Sequence, residues 1–384
     1  MKRRTESASA IVRRLLTIAV QDPQAVASLP ERDLDLLLRL ARRVRLLGRL
    51  ADRLERTQRL VQLPSAAREQ LKSSSVLVQA RSRVARWELN RLAAVFRESP
   101  AMRVVLLKGC AYLAAGMPNA AGRLFADVDL LFAERDLEVA EQRLISRGWH
   151  GTKLDAYDQH YYRVWTHELP PLVHAEREVE ADLHHNIVPR TGRLKPSAAL
   201  LLEDVQTIDG GSLYRLGDRD VVLHAMTHLM FDSDMADCLR DLVDIDDLLR
   251  HFSESKSGFW DDLLDRASEL DLVRPAFYGL HFAHVLLGTP VPDAILRRSQ
   301  KGAPWQPFEW VMDRLVPLAL FPIHPDMRSR RATVARFLLY VRSLWIRMPP
   351  LLLVRHLAYK FYARRIRVSP GRRSVPDAGS AAKG

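Results

Sequence analysis

The sequence predicts an α+β protein in which a segment of short strands lies between two helical regions. Three observations carry this reading. Residues 1–100 repeat Leu and Arg at helical spacing, residues 101–216 switch to short apolar runs separated by turns and helices, and the helical period returns after Gly217. At 384 residues the chain can bury a substantial core and is expected to hold two or three packed units. The changes of pattern divide it into 1–100, 101–216, 217–327, 328–368 and a Gly, Ser, Ala and Pro-rich tail at 369–384 that reads as disordered.

Along the first region, 31–57 carries an apolar stripe of Leu34, Leu37, Leu38, Leu40, Val44, Leu47 and Leu50. Pro64-Ser65 opens a second long helix that runs to about Phe96, before Pro100. The Arg-rich faces of both read as solvent-exposed. Strands are expected at 104–107, 128–132, about 160–165 and 178–183, with a helix at 134–147 ending at Gly148. Asp209-Gly210-Gly211 makes a hairpin turn between 205–208 and 212–216. Asp218 can cap a helix at 220–231, and another covers about 235–252.

The net charge of +12 conceals a division. Residues 1–100 hold 21 Lys and Arg against 10 Asp and Glu; 101–327 hold 23 against 35; 328–384 hold 14 against 1. The strand-bearing middle is therefore acidic, which argues against nucleic acid as a partner. The basic ends can meet anionic lipid, a polyanion or the acidic middle of the same molecule. Cys110 and Cys238 match no zinc or disulfide spacing, which suits a reducing cytoplasm. Arg13 and Arg14 interrupt any signal-like apolar run after Lys2-Arg3-Arg4, and no stretch of eighteen apolar residues exists. The expectation is a cytoplasmic protein, peripheral at the inner membrane face if its C-terminal helices reach a bilayer.

Those helices, at 332–346 and 351–366, mix apolar and basic residues around Met348-Pro349-Pro350. Such a pair can lie in a membrane interface or dock on its own protein with arginines in water. Docking through Trp345 and 351–357 is the expectation, leaving arginines for weak contact with an anionic surface.

The chemistry concentrates between Leu106 and His184. Asp127 and Asp129 sit two apart in the strand Asp127-Val128-Asp129-Leu130-Leu131-Phe132, so they share one face. Adjacent carboxylates raise each other's pKa unless a cation sits between them, and such a pair suits Mg²⁺. A solvated strand edge is the plainer reading, but the apolar flanks and the upstream Lys108-Gly109 turn favour the metal. Neutralising either acid should then leave stability unchanged or higher. On the strand Glu178-Val179-Glu180-Ala181-Asp182-Leu183-His184, Asp182 can complete an acidic triad, with Glu180 the runner-up and a surface acid the plainer reading. Two divalent ions about 3.5–4 Å apart would suit phosphoryl or nucleotidyl transfer.

Gly109 can admit a phosphate close to the backbone and open an anion-binding helix, or simply make a strand-to-helix turn. Lys108 can neutralise triphosphate charge or be solvated. Arg123 suits a bidentate phosphate contact or a structural ion pair with one of the acids. His184 and His185 can orient a carboxylate or water, or be structural. His224, His228, Asp232, Asp241 and Asp244 form a conceivable metal cluster, though packing histidines fit the spacing better.

Lys108-Gly109, Arg123, the Asp127-Asp129 pair and Asp182-Leu183-His184 together resemble the uncharacterised nucleotidyltransferase family of bacteria, a divergent branch of the polymerase-β-like nucleotidyltransferase superfamily. The resemblance runs from the first long helix to about residue 360. It implies a small mixed-sheet nucleotidyltransferase core flanked by N- and C-terminal helical regions, NTP and Mg²⁺ as ligands, and nucleotidyl transfer to an unknown acceptor. It also implies nucleotide-binding roles for Lys108, Gly109, Cys110 and Arg123, an acceptor pocket near the His224 helix, and association with exopolysaccharide genes. The superfamily's Gly-Gly or Gly-Ser turn is Gly109-Cys110 here, and residues 111–126 separate it from Asp127. Three function classes fit: an Mg²⁺-dependent nucleotidyltransferase, a catalytically weak nucleotide-binding scaffold, and a membrane-surface assembly factor for envelope polysaccharide.

Overall fold

A computed structural model describes residues 7–367 except 98, 100, 153, 210 and 232–234, and the side chains of 356 and 360–367 also lie outside it. Lys2-Arg3-Arg4, Pro100, Gly210, Asp232 and the tail at 369–384 are thus outside the described residues. The N-terminal region comprises α1 (Ala8–Gln21), α2 (Glu31–Arg43), α3 (Leu47–Arg56) and α4 (Ser65–Phe96). Ser7 caps α1, its hydroxyl accepting from the Ala10 amide at 3.3 Å. The helix read over 31–57 is two helices, because Arg45 adopts φ 57° and a left-handed residue cannot continue a right-handed helix. The seven stripe residues from Leu34 to Leu50 are all buried, as their spacing predicts.

The sheet region runs β1 (Val104–Leu106), α5 (Lys108–Ala114), β2 (Asp127–Leu131), α6 (Leu137–Ser146), β3 (Trp149–Gly151), α7 (Ala156–Trp165), β4 (Leu172–His174), β5 (Glu180–His184), α8 (Ala198–Glu203), β6 (Gln206–Thr207) and β7 (Leu213–Arg215). The seven strands form one mixed sheet in the order β3-β4-β5-β2-β1-β7-β6. β2 pairs parallel with β5 and antiparallel with β1, which in turn pairs parallel with β7. The expected hairpin is β6–β7, closed by the Ile208 amide on the Leu213 carbonyl at 3.0 Å.

The strand expected near 160–165 is helix α7 instead. Its aromatic run imitates a strand composition, but Asp155 caps it, accepting from the Asp158 amide at 2.9 Å. Tyr157, Tyr161 and Trp165 then recur every fourth residue, and the two tyrosine rings lie 6.0 and 5.9 Å from the Trp165 ring. The last strand is also shorter at its start than read, because Glu178 has φ 55° and stands outside β5.

Alternation along the strands splits their side chains between two cores. Val104, Leu106, Val128, Leu130, Ala181 and Leu183 pack with Leu89, Leu92 and Phe96 of α4 and Leu137, Ala140 and Leu144 of α6. Val105, Leu107 and Leu131 join the larger helical core. That core is built from the N-terminal helices and α9 (Asp218–Phe231), α10 (Leu239–Ser255), α11 (Phe259–Glu269), α12 (Val273–Leu287), α13 (Asp293–Ser299) and α14 (Gln306–Leu320). Asp218 opens α9 two residues earlier than read and pairs with Arg215 and Lys256.

Two further helices, α15 (Arg330–Arg347) and α16 (Pro350–Arg367), complete the described chain. The docking expected of this segment is made chiefly by other residues than those named for it, although Leu352 and Leu353 are half-buried and Arg193 lies over the Trp345 ring at 4.9 Å. Ala332, Ala335, Leu339 and Leu344 of α15 are buried, whereas Trp345, Leu351, Val354 and Leu357 are exposed. Small and aliphatic residues let α15 approach α14 and α9 closely, which the bulkier outer stripe would prevent.

Gly122, at φ 70°, lies against α3 so tightly that a Cβ would run into the backbone of Gly48 and Arg49. Gly116, at φ 64°, faces open space. Gly122→Ala should therefore cost about 2–3 kcal/mol and Gly116→Ala only about 1 kcal/mol. Equal losses in thermal midpoint for the two variants would show that the close contact with α3 does not matter.

Candidate active site

The in-register pairing of β2 with β5 places Asp127 opposite Glu180, Asp129 opposite Asp182 and Leu131 opposite His184. Paired residues of neighbouring strands share a face, so Asp127, Asp129, Glu180, Asp182 and His184 all lie on one side of the sheet. Their environments differ sharply. Asp127 begins β2 and is exposed, Glu180 is exposed, Asp182 is half-buried, and Asp129 and His184 are buried.

Asp129 is the hub. Lys108 Nζ donates to its Oδ1 at 2.8 Å, and His184 Nε2 donates to the same oxygen at 3.1 Å. Burial opposes ionisation of Asp129, but Lys108 and His184 outweigh it and hold the carboxyl well below its usual range. Asp182 carries the opposite burden. Burial, Asp129 and Glu168 push its carboxyl up to about 7, and its Oδ1 is buried without a hydrogen-bond partner. The relief of crowding expected from neutralising Asp129 does not follow, since Asp129 is compensated; the uncompensated acid is Asp182.

His167 and Glu168, in the turn after α7, were not singled out in the sequence. Glu168 forms an isolated bridge with His184, and its Oε2 lies 3.5 Å from His184 Nδ1. Two triads have ligand atoms mutually within 4.8 Å: Asp129, Asp182 and His184, and His167, Glu168 and His184. Asp127 is in neither, although it stands next to Asp129 on the same face. The polar run Thr166-His167-Glu168 after an aromatic segment was the available signal. The strand misreading of α7 concealed it.

Lys108 leads into the site from β1. Its backbone, not that of Gly109, takes the left-handed conformation, at φ 47°, a strained geometry that surrounding structure must hold. Gly109 has a packing reason instead: a Cβ there would stand 3.1 Å from Arg123 Nε and 3.3 Å from a Phe125 ring carbon. Cys110 is buried, its thiol donating to the Asp127 carbonyl at 3.3 Å. Burial, with Asp129 and Asp127 nearby, pushes that thiol up to about 12. Arg123 is ion-paired, but with Asp244 of α10 instead of an acid on β2, and it lies over the Tyr112 ring at 5.5 Å.

Asp244 also faces Arg49, and Asp241 pairs with Arg240 at 2.8 Å. These acids therefore balance arginines, and among the described residues they form no metal-spaced set with His224 or His228. His224 is held neutral well below its ordinary range by burial, with Lys108 and His228 adding repulsion. It lines a cavity together with Arg45, Lys108, Arg123, Asp127, Asp129 and Arg240. A second cavity is lined by Tyr161, Tyr162, Glu168, Arg193 and Arg347, and Lys108 and His228 wall both.

The mixed sheet thus presents its carboxylates close to two cavities, each lined by Lys108 and by arginines. Residues 30–288 match the family described as uncharacterised nucleotidyltransferase, and the chain belongs to that family. No curated protein matches the sequence. Among solved structures, the crystal structure of JHP933 from Helicobacter pylori is similar at 12% identity and a TM-score of 0.31, covering 75% of this chain and 98% of that one.

The state of Asp182 sets a pH dependence. A carboxyl raised from about 3.9 in the unfolded chain to about 7 in the fold adds stability that is full below about pH 4 and is lost progressively as pH rises from there to about 7. Asp182→Asn keeps the shape and cannot ionise. It should raise the melting temperature on the order of 2 °C or more near pH 8.5, by only about a third as much near pH 5, and hardly at all near pH 3. A melting shift independent of pH would mean that Asp182 is not the strained acid.

Proposed function

We propose that this protein transfers a nucleotidyl group from an NTP to a small-molecule, sugar or protein acceptor, assisted by Mg²⁺ held by Asp127, Asp129 and Asp182. Family membership supports the reaction class. The observation that carries the reading to these residues is the buried, unpartnered Asp182 Oδ1 beside ionised Asp129. A cation is the partner that such an oxygen lacks, and Asp129 and Asp182, with His184 beside them, are spaced to hold a divalent ion; Asp127, outside that set, would join it from the same face of β2. When bound, the ion would neutralise phosphate charge and favour departure of pyrophosphate.

The chain's own groups have separable tasks in this reading. Lys108, Arg45 and Arg240 line the cavity on the Asp127 side and suit a triphosphate, although Lys108 and Arg240 would share their charge with Asp129 and Asp241. Arg123 is committed to Asp244, so it shapes that wall more than it contacts phosphate. Lys108 and His184 keep Asp129 ionised. The acceptor enters the cavity walled by Tyr161, Tyr162, Glu168 and Arg347. Its hydroxyl oxygen forms the new bond to the α-phosphorus as the bond to pyrophosphate breaks, and Glu168, which lines that cavity, takes the proton. Cys110 has no such task, because its thiol is buried on the Asp127 carbonyl.

A second reading, a scaffold that binds nucleotide without turning it over, is favoured by one fact. Asp129 is already satisfied by Lys108 and His184, and a metal must compete with both.

Transfer of label from an α-phosphate-labelled NTP separates the two. Asp127→Asn should abolish Mg²⁺-dependent NTP binding with little change in stability, since Asp127 is exposed. Asp129→Asn should abolish it too but also destabilise the fold, because the amide oxygen accepts from Lys108 and His184 without the charge that holds them. Asp182→Ala should lower turnover on the order of a hundredfold, far more than it weakens binding. The same large loss from Glu180→Ala, with Asp182→Ala silent, would reassign the third acid. Metal-dependent affinity that survives the Asp127→Asn/Asp129→Asn double change would end the proposal. Because Asp182 must shed a proton, Mg²⁺ affinity measured by calorimetry should rise between about pH 6 and 8.

A further inference from the structure

Helix α15 carries two apolar stripes. Ala332, Ala335, Leu339 and Ser343 are buried on its inner side. Val334, Phe337, Leu338, Val341 and Trp345 recur at the same spacing on its outer side, and 43–63% of each remains exposed. The outer surface does not stop at one helix. Trp305 and Phe308, at the start of α14, are 74% and 61% exposed and line one groove with Leu338 and Trp345. Beyond the 119° bend that follows α15, Leu351 and Val354 of α16 are 86% and 66% exposed. Continuous apolar surface of this kind marks an interaction site in a water-soluble fold.

The charge around it selects the partner. Residues 328–367 contain eleven Lys and Arg and no Asp or Glu. Arg328, Arg330, Arg331 and Arg355 are exposed. The exposed acid nearby on α14, Asp313, accepts a hydrogen bond from His281 at 2.7 Å. Trp, Tyr and Phe mixed with arginine suit the boundary between acyl chains and headgroups. Among the described residues no single helix is long and apolar enough to cross a bilayer, and α15 and α16 pass that test only as a pair bent by 119°; their interleaved arginines suit helices that lie along its surface. A second copy is a poor occupant, because a two-fold contact would set two acid-free cationic segments against each other.

We infer that the outer face of α15, with the adjoining ends of α14 and α16, docks on a bilayer surface rich in anionic lipid. Phe337 and Val341 enter the interface while the exposed arginines meet phosphate headgroups. This stands apart from the nucleotidyl-transfer reading, since none of these side chains belongs to the acid cluster.

Flotation of the full chain with vesicles tests it. The protein should float with phosphatidylcholine–phosphatidylglycerol vesicles, stay behind with phosphatidylcholine alone, and release as salt screens the charges. Phe337→Glu/Val341→Glu should lower binding about tenfold or more while the thermal midpoint is kept, because both positions are solvent-facing. Absence of flotation with anionic vesicles would overturn the inference. So would undiminished flotation of the double variant, which would assign binding to charge alone. Concentration-dependent self-association that the same variant abolishes, without vesicle binding, would assign the face to a second copy instead.

Discussion

Parallel pairing of β2 with β5, in a register that sets Asp129 beside Asp182, places a buried and a half-buried carboxylate on neighbouring strands. Strands in a sheet stand about 4.8 Å apart, so neither acid can retreat without breaking the ladder. The fold resolves the repulsion unequally. Lys108 and His184 compensate Asp129, and Asp182 is left with a raised pKa and an oxygen without a partner. Pairs of groups whose environments drive their pKa values apart are a recurrent feature of reactive sites. The same inequality makes the proposed metal dependence and the expected pH dependence of stability two consequences of one geometry.

The long connection between Cys110 and Asp127 has a structural purpose. After α5 it turns through Gly122, which sits against α3, and then places Arg123 on Asp244 of α10. Arg49 of α3 reaches both Asp244 and Asp247, and Arg53 meets Asp247 at 3.2 Å. Buried charges of this kind are costly unless each has a partner. Once paired, they fix the loop that precedes β2 against two helices from different parts of the chain. Arg123 therefore acts as an anchor for the start of β2, where Asp127 emerges.

Much of this was legible in the sequence because period and chemistry agreed. The Leu stripe from Leu34 to Leu50 is buried as its spacing requires, and β2 and β5 follow from alternation around Asp127, Asp129 and Asp182. What remained hidden depended on single residues or on distant partners. Arg45 breaks a helix whose pattern runs through it. Asp155 turns an aromatic, strand-like run into α7, and with that run read as a strand, His167 and Glu168 passed unnoticed. The Arg123–Asp244 pair spans 121 positions, and no local pattern specifies it. At Lys108 the sequence pointed to the glycine, whereas the strained backbone is that of the lysine, which turns its amine onto Asp129.

Helix α15 joins the two ends of the functional argument. Its last residues, Ile346 and Arg347, wall the cavity that contains Glu168. The loop at 189–193 is fastened to them: the Arg193 amide donates to the Ile346 carbonyl at 3.0 Å, and the Thr191 hydroxyl donates to the Arg347 carbonyl at 2.8 Å. Arg342, on the same helix, lies over the rings of Phe231 and Tyr278 at 5.2 and 5.4 Å. One rigid helix thus presents an uncovered apolar stripe outward and positions the cavity wall inward. Arg342 also donates to the Met230 carbonyl at 2.9 Å, so it ties α15 to α9 as the 189–193 loop ties it to the cavity wall. The outer stripe and the cavity wall are thus two sides of one helix, while the acids on β2 and β5 lie on other elements.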